Sequence, residues 1–346
     1  MRILEVGDLA YLQIIRPESV DFFYIGKKTS EPKPRLTWRD FFELRRRLHA
    51  GHYDAVVLSI FAASSPIWRR DRNFISNISR IGRNLTLFHA FGPEIVLELL
   101  RGLDVPLIIL DRKDDPDRIP SHFLPILARC EKYYWREMPV KLENGFLFTT
   151  GRLEDTSAVR KCAVFKENRH KIEPISLGVP WREIYDHVAG EPKTYDVFYA
   201  GSTKGSRVRS DGLAQLLELR NEGMRVLIGE EGQPYSFEEY ITLCARSWLV
   251  WSPEGHGWDC FRHYESCLAH SIPVMNYPRI RRHQPLMEGE HAFYYGVEGD
   301  HLKKVIRAAL ARSENERRAM ADRARAHVRE HHLDEKIFAR IFPAAG

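Results

Sequence analysis

The chain has 346 residues, 44% hydrophobic and 29% charged, which is the composition of a globular protein long enough for two domains. No apolar run reaches the roughly 18 residues of a membrane-spanning helix, so we expect none. The formal net charge of +5 suits an anionic sugar nucleotide, an anionic membrane surface or a nucleic acid, and does not choose among them.

The cysteines and the amino terminus indicate the compartment. The five cysteines are scattered and include no Cys-x-x-Cys pair, which favours reduced thiols and argues against a metal cluster. The first residues have no signal-peptide pattern and read as a strand. We therefore expect a cytoplasmic protein, with peripheral contact at the inner membrane face as a further option.

Strand and helix signals alternate along the first half of the chain. Strands are predicted over 3–6, 20–25, 53–58, 85–88 and 106–110, and helices over 36–50, 93–101 and 121–136. This alternation predicts an α/β fold with a parallel, doubly wound sheet.

The second half repeats this architecture after a polar segment, 183–192, which is predicted to be a linker. Ser236, followed by Glu238 and Glu239, is expected to cap a helix over 237–246. Strands are predicted over 195–200, 225–229, 248–251, 274–275 and 292–295, and the other helices over 210–220, 260–269, 302–312, 314–330 and 336–342. The chain therefore reads as two Rossmann-like domains, 1–182 and 193–332.

Residues 248–276 carry the strongest functional signal. A short apolar strand is followed by a loop with glycines at 255 and 257, then by a helix with Phe261, Tyr264 and Leu268 on one side, then by another strand. A glycine-bearing loop that leads into a helix N-terminus is suited to binding phosphate.

This stretch resembles the nucleotide-sugar site of GT-B glycosyltransferases, especially the group-1 and exostosin-like families, and residues 111–139 resemble the N-terminal domain of spore-coat-type and exostosin-like transferases. The pattern of that nucleotide-sugar site, S-P-x-G-x-G-x-D-x-F-R-x-x-E-x-L-x-x-G-x-I-P-V, is matched by Ser252, Pro253, Gly255, Gly257, Asp259, Phe261, Arg262, Glu265, Ile272, Pro273 and Val274, and Leu268 stands one residue after the leucine position of the pattern. His270 departs from it by replacing the usual glycine. Gly257, eight residues before Glu265, replaces the first of the paired glutamates of many retaining members, which leaves the stereochemistry open.

The resemblance implies a GT-B fold, in which two Rossmann-like domains face each other across a cleft and a terminal helix, 333–346, packs back toward the first domain. It also implies a nucleoside-diphosphate sugar as co-substrate, with no cofactor and no metal. Glu265 would accept hydrogen bonds from the ribose hydroxyls, although such a residue is otherwise a surface glutamate stabilised by the helix dipole.

Other residues of this stretch have two interpretations each. Arg262 is suited to bidentate contact with a diphosphate, or forms a salt bridge with Glu265 or Asp259. Asp259 either caps the helix or contacts the ligand. Gly255 and Gly257 would let the backbone approach a pyrophosphate, or form an ordinary turn. The motif residue Phe261 is counted with the donor-binding set. Trp258 and Tyr264 either stack on base or sugar or belong to the core.

A second phosphate-binding candidate is the segment Gly201-Ser202-Thr203-Lys204-Gly205-Ser206-Arg207, which follows a predicted strand. Lys204 or Arg207, with Arg209 as a third option, would neutralise the leaving diphosphate. The alternative is a solvated basic loop.

An inverting enzyme needs a base that takes the proton of the acceptor hydroxyl. The candidates are His89, Asp111 and the pair Asp114-Asp115, because each follows an apolar strand of the first domain. His89 and Asp111 are our catalytic predictions.

We therefore predict a glycosyltransferase of the hexosyltransferase class that transfers a sugar to a glycan or lipid-linked acceptor in cell-surface polysaccharide or glycoconjugate synthesis. One alternative is a transferase that modifies nucleic-acid bases, as some phage enzymes of this fold do. Others are a non-catalytic sugar-nucleotide-binding protein and an epimerase of the same fold.

Overall fold

The computed structural model describes residues 1–7, 10–24, 38–60, 95–113, 119–120, 124–142, 146–147, 162–204, 206–229 and 235–343. The chain divides into two compact units, Met1–Ile175 and Ser176–Ala344. Each unit contains one large parallel sheet with helices along its connections.

The first unit has a sheet of six parallel strands: β1 (Ile3–Gly7), β2 (Val20–Tyr24), β3 (Ala55–Ile60), β4 (Leu107–Asp111), β6 (Lys132–Trp135) and β8 (Ile172–Pro174). They pair in the order β2-β1-β3-β4-β6-β8, and a separate parallel pair joins β5 (Ile119–Pro120) to β7 (Phe146–Leu147). The helices described in this unit are α1 (Leu12–Ile15), α2 (Trp38–His49), α3 (Ile95–Leu99), α4 (Leu124–Arg129) and α5 (Ala163–Asn168).

The second unit has a sheet of five parallel strands: β9 (Tyr195–Tyr199), β10 (Val226–Ile228), β11 (Ser247–Trp251), β12 (Ile272–Asn276) and β13 (Phe293–Tyr295). They pair in the order β10-β9-β11-β12-β13. The helices are α6 (Ile184–His187), α7 (Arg207–Asn221), α8 (Phe237–Ala245), α9 (Phe261–Leu268), α10 (His301–Ala311), α11 (Glu314–His331) and α12 (Asp334–Ile341).

Continuous apolar runs form the central strands of both sheets. Every residue of β3, β4, β11 and β12 is buried. Parallel strands are covered by helices on both faces, so they need apolar residues at successive positions rather than at alternate ones. The predicted fold class, two doubly wound α/β domains, is confirmed.

The prediction of one helix over 121–136 was wrong. Helix α4 ends at Arg129, and β6 begins at Lys132. The Tyr133-Tyr134-Trp135 run is rich in aromatic residues that suit a strand, and it pairs with β4 from Ile108 to Asp111. The sequence also did not predict β8, which is only three residues long.

The boundary between the units lies between Ile175 and Ser176. The segment predicted as a linker contains α6, and Tyr185 of that helix is 1% exposed within the core of the second unit. Helix α7 begins at Arg207, earlier than predicted, because Ser206 caps it. The predicted cap at Ser236 is confirmed, and it forms a reciprocal capping box with Glu239.

No helix in the part of the chain that the structure describes is both long and apolar enough to cross a bilayer.

Gly212 in α7 provides a test of packing in the second unit. A Cβ atom at this position would lie 2.1 Å from Cζ2 of Trp251, which is completely buried. Alanine usually stabilises a helix relative to glycine by up to about 1 kcal/mol. Here we expect Gly212→Ala to lower the free energy of unfolding by about 1–2 kcal/mol, because the helix must move away from the sheet. Denaturant titration measures the difference.

The matched control for this substitution is Gly190→Ala, since a Cβ at Gly190 meets no atom within 4 Å. We expect that variant to unfold at the wild-type denaturant concentration or above it. A Gly212→Ala protein as stable as the control would contradict the close packing of α7 on Trp251.

Candidate active site

Two loops meet at the carboxyl edge of the second sheet. Strands β9 and β11 are parallel neighbours, so the chain leaves both strands at the same edge. The loop after β9 carries Gly201, and the loop after β11 carries Gly255 and Gly257. Ligands of parallel α/β sheets bind at this edge. The two motifs that the sequence singled out therefore form one region.

Arg262, in the first turn of α9, reaches the loop that follows β9. Its Nη2 atom would lie 2.9 Å from a Cβ atom at Gly201, and its guanidinium carbon lies 5.6 Å from the centroid of the Tyr199 ring. Its Nη1 atom is buried and makes no hydrogen bond to the described residues. The absence of a side chain at Gly201 gives this guanidinium its place beside the loop after β9.

Glu265 lies one turn further along α9 and is partly buried. Within the described ranges, no donor forms a hydrogen bond with its carboxylate, and no ion pair within 4.0 Å joins Arg262 to Glu265 or Asp259. Burial raises the pKa of Glu265 to about 7, although Arg262 and Arg182 lower it in part. A surface glutamate does not have this environment, because water would hold its pKa near the ordinary value.

Arg182 belongs to this site but was not predicted from the sequence. Its guanidinium carbon lies 4.4 Å from the centroid of the Phe237 ring, and its charge acts on Glu265. The residue precedes α6, in a part of the chain that has no motif. Only the packing of this segment near α8 and α9 brings the two side chains together.

Asp259 has a structural role in the second unit. It is 4% exposed, and its Oδ2 atom accepts a hydrogen bond from the backbone N–H of Leu177 at 2.7 Å. Its Oδ1 atom accepts one from the hydroxyl of Tyr264 at 2.5 Å. Cys260, not Asp259, occupies the N-cap position of α9. Asp259 thus fixes the segment around Leu177 against α9.

The aromatic residues of the motif follow the core interpretation, with one exception. Trp258 is 6% exposed and donates from Nε1 to the carbonyl of Asn276 at 3.0 Å. Tyr264 is equally buried, and its ring stacks on that of His332 at 4.6 Å between centroids. Phe261, which the sequence placed on one side of the helix with Tyr264 and Leu268 and which was counted with the donor-binding set, is 46% exposed, whereas the other two are buried.

His263 and Asn276 shape the loop after β11. His263 contacts the hydroxyl of Ser252 through Nδ1 at 2.7 Å and the carbonyl of Trp258 through Nε2 at 2.8 Å. A carbonyl only accepts, so Nε2 donates to it. The Asn276 side chain accepts from the backbone N–H of Glu254 at 2.8 Å and donates to the Glu254 carboxylate at 3.0 Å. Both ends of the loop are therefore fastened to the sheet and to α9.

The side chains of the three basic residues proposed to neutralise the diphosphate, Lys204, Arg207 and Arg209, point in different directions. Lys204 is exposed, and the side chain of Arg207 is 92% exposed and paired with Asp211 at 3.2 Å. Arg209 instead donates to the carbonyl of Ser202 and to that of Glu254, at 2.9 Å each. The structure therefore directs Arg209 toward the two loops. Gly205 lies outside the described residues.

The glycines of the loop after β11 give it a tight turn. The backbone N–H of Gly255 donates to the carbonyl of Gly257 at 2.8 Å. A Cβ atom at Gly255 would lie 3.1 Å from Nη2 of Arg209 and 3.3 Å from Sγ of Cys260. Gly257 is buried. The loop is thus closed on itself and packed directly against Arg209.

The position of His270 has a conformational reason. Its φ is +57°, in the left-handed region that glycine adopts without strain. The pattern that this stretch resembles has glycine at this place, and the backbone at the end of α9 keeps the glycine-like conformation here.

Asp111, a predicted catalytic base, is completely buried at the end of β4. Its carboxylate accepts a hydrogen bond from the hydroxyl of Tyr133 at 2.7 Å, and Nζ of Lys113 lies 3.4 Å away. Burial and the nearby carboxylate raise the pKa of Tyr133 well above its ordinary value. Asp111 is therefore held inside the first unit. His89 and the pair Asp114-Asp115 lie outside the described residues.

A buried carboxylate in the first unit was not predicted from the sequence. Glu5, in the middle of β1, is 0% exposed, and burial raises its pKa. It accepts hydrogen bonds from the backbone N–H groups of Tyr11, Leu12 and Gln13 and from the hydroxyl of Ser59. The sequence did contain a signal for this burial, since Glu5 lies within an otherwise apolar strand. Its bonds give it the role of a cap for α1.

No group of three or more histidine, cysteine, aspartate or glutamate side chains in the described part of the chain is arranged to hold a metal ion.

The sequence matches no protein-family model and no curated protein, whereas solved structures align with the whole chain. A UDP-forming α,α-trehalose-phosphate synthase from Burkholderia vietnamiensis has a TM-score of 0.56 at 9% identity, covering 100% of both chains. HepE from Anabaena, solved with UDP, has a TM-score of 0.55 at 12% identity, covering 100% of this chain and 99% of its own. The Burkholderia xenovorans trehalose-phosphate synthase, solved with glucose-6-phosphate, has a TM-score of 0.54 at 11% identity, covering 100% of both chains. These similarities show that the chain has the GT-B fold.

Proposed function

We propose that the protein is a glycosyltransferase that moves a sugar from a nucleoside-diphosphate sugar to a hydroxyl of a glycan or lipid-linked acceptor. One observation carries the proposal. Arg262 and Glu265 occupy one turn of α9 beside two glycine-bearing loops, and neither the Arg262 Nη1 atom nor the Glu265 carboxylate has a hydrogen-bond partner among the described residues. Buried polar groups without partners are costly to a fold, so they favour a ligand that supplies the partners.

The two side chains suit different parts of a nucleotide sugar. The guanidinium of Arg262 can bind two diphosphate oxygens, and it would stabilise the negative charge that develops on the leaving nucleoside diphosphate. The Glu265 carboxylate can accept hydrogen bonds from the two ribose hydroxyls. Backbone N–H groups of the glycine loops would complete the phosphate site.

The structural neighbours guide the choice of substrates to test. HepE has been solved with UDP, and the B. xenovorans synthase with glucose-6-phosphate. The resemblance of residues 252–274 to group-1 and exostosin-like transferases supports the same substrate class. UDP is therefore the first nucleotide to try, and a sugar hydroxyl is the expected acceptor.

For the acceptor proton we retain His89 as the proposed base. The carboxylate of Asp111 is buried and engaged by Tyr133 and Lys113, so it is poorly suited to receive a proton from an incoming hydroxyl. An imidazole with an ordinary pKa near 6.5 can accept a proton at neutral pH.

Thermal unfolding with UDP, GDP, ADP, CMP and dTDP in turn tests the donor site. A ligand at a hundred times its Kd adds roughly 2.7 kcal/mol to the stability of the folded state. We expect one nucleotide to raise the Tm by several degrees. In a chain somewhat shorter than this one, each kcal/mol of added stability raises the Tm by roughly 2–4 °C.

The selected nucleotide then defines the activity assay. The assay measures release of that nucleotide from its sugar conjugates, first without an acceptor and then with a panel of acceptors. A transferase releases the nucleotide, whereas a protein that only binds nucleotide sugars does not. No Tm shift with any of the five nucleotides, together with no release from their sugar conjugates, would reject the proposed function. A shift without release or transfer would favour the non-catalytic alternative, and salt-dependent duplex binding would favour nucleic-acid modification.

A further inference from the structure

We propose that Arg209 is a positioning residue that fixes the loop after β9 and the loop after β11 at the separation that a diphosphate requires. The inference rests on the proposed function. Arg209 is distant in sequence from the α9 motif. Its guanidinium donates hydrogen bonds to two main-chain carbonyls, which distinguishes its role from direct contact with a ligand.

The contacts of Arg209 join the two loops directly. Its Nε atom donates to the carbonyl of Glu254, 45 residues away, and its Nη1 atom donates to the carbonyl of Ser202, both at 2.9 Å. Both acceptors are backbone atoms, so the bonds fix the path of each loop rather than the orientation of a side chain. One planar group therefore sets the distance between the loops.

The guanidinium is itself held in place. The backbone N–H of Arg209 donates to the N-cap hydroxyl of Ser206 at 3.3 Å, which ties the residue to the first turn of α7. On the other side, a Cβ atom at Gly255 would lie 3.1 Å from its Nη2 atom. A glycine at 255 therefore lets the loop after β11 lie against the guanidinium.

The loop after β11 is also fastened at Glu254 from the opposite side. Asn276, at the end of β12, bonds the backbone N–H and the carboxylate of Glu254, while Arg209 bonds its carbonyl. Glu254 is thus fixed from one strand and one helix. Arg209 ties the loop after β9 through the Ser202 carbonyl, so removing the guanidinium should loosen that loop as well.

This role differs from that of Arg262. Arg262 keeps a buried Nη1 atom with no hydrogen bond to the described residues and suits direct contact with the ligand. Arg209 uses the geometry of its fork, because Nε and Nη1 point to two separate acceptors at once. A lysine ammonium is a single point and lacks this fork. Charge and geometry can therefore be separated by substitution.

The test uses the nucleoside diphosphate selected by the Tm panel and the matching nucleoside. We expect Arg209→Met to lower the ratio of diphosphate affinity to nucleoside affinity by about tenfold, because the loops must then be ordered when the phosphates bind. The affinity for the nucleoside alone should stay near the wild-type value. Arg209→Lys should behave like Arg209→Met. Gly255→Ala places a methyl group against the guanidinium, so it should also lower the ratio of diphosphate affinity to nucleoside affinity. Isothermal titration measures all of these affinities.

Arg220→Met is the control, since Arg220 is an exposed residue in the last turn of the same helix. Full diphosphate affinity in Arg209→Lys would overturn the proposal, because charge alone would then suffice. A lowered Tm with an unchanged ratio of diphosphate to nucleoside affinity would overturn it as well, since the role would be stability only. Absence of nucleotide binding by the wild-type protein would reject the proposed function itself and is distinguishable from both.

Discussion

Replacing Arg262 with methionine is expected to lower kcat/KM for the nucleotide sugar by about 10²- to 10³-fold, the range seen when one preorganised donor is lost from a developing negative charge. Methionine keeps much of the apolar stem that packs near Tyr199 and removes the guanidinium. The loss should appear mainly in kcat, because the leaving diphosphate gains charge in the transition state. Arg262→Lys should be intermediate, since an ammonium keeps the charge without the bidentate geometry.

Steady-state kinetics with the selected nucleotide sugar, on proteins with matched circular dichroism spectra, measure this effect. Arg220→Met serves as the control because Arg220 lies on the exposed surface of α7. An Arg262→Met enzyme with wild-type kcat/KM would show that the guanidinium does not contact the diphosphate, and the assignment of the site to α9 would then fail.

Replacing Glu265 with glutamine should have opposite effects on stability and on binding. Burial raises the pKa of this carboxyl from 4.5 to about 7, so the folded protein holds the proton more tightly than the unfolded chain does. Above pH 7 the ionised group therefore disfavours folding, and this unfavourable contribution shrinks as the pH falls toward 4.5. We expect Glu265→Gln to raise the free energy of unfolding by about 1–3 kcal/mol at pH 8.

The same substitution should remove most of the Tm shift produced by the nucleotide, because a neutral amide is a weaker acceptor for ribose hydroxyls than a carboxylate. Denaturant titrations at pH 8 and pH 5, each with and without nucleotide, measure both effects. Glu298→Gln is the control, since Glu298 is exposed. A Glu265→Gln protein that is less stable at pH 8 would mean that the carboxylate has a structural partner. An unchanged nucleotide shift would remove Glu265 from the site.

Local sequence was sufficient for most of the elements. Apolar runs such as β3 and β11 can only be buried parallel strands when helices alternate with them, and Ser236 with Glu239 marked the start of α8 from spacing alone. The prediction failed where two short elements adjoin. The segment from Leu124 to Trp135 has apolar residues that fit both periods, and pairing of β6 with β4 decided the outcome.

The candidate site was predicted only in part. The motif indicated Arg262 and Glu265, but it left both a ligand contact and a structural role open for Asp259 and Trp258. Contacts with distant parts of the chain separate them. Asp259 bonds the backbone of Leu177, and Trp258 bonds that of Asn276, so both shape the second unit. No spacing rule contains those partners.

The sequence by itself determined the fold class and the helix that carries the candidate site, because both depend on periodicity and on residue types within a few turns. Tertiary structure decided which charged side chains are available to a ligand. Arg207 and Arg209 are two residues apart on one helix, yet one points to solvent and the other joins two loops. Asp111 follows a strand as a catalytic base would, yet it is enclosed by Tyr133 and Lys113. Availability depends on burial and on partners that are remote in the chain, and these exist only once the sheet has brought its strands together.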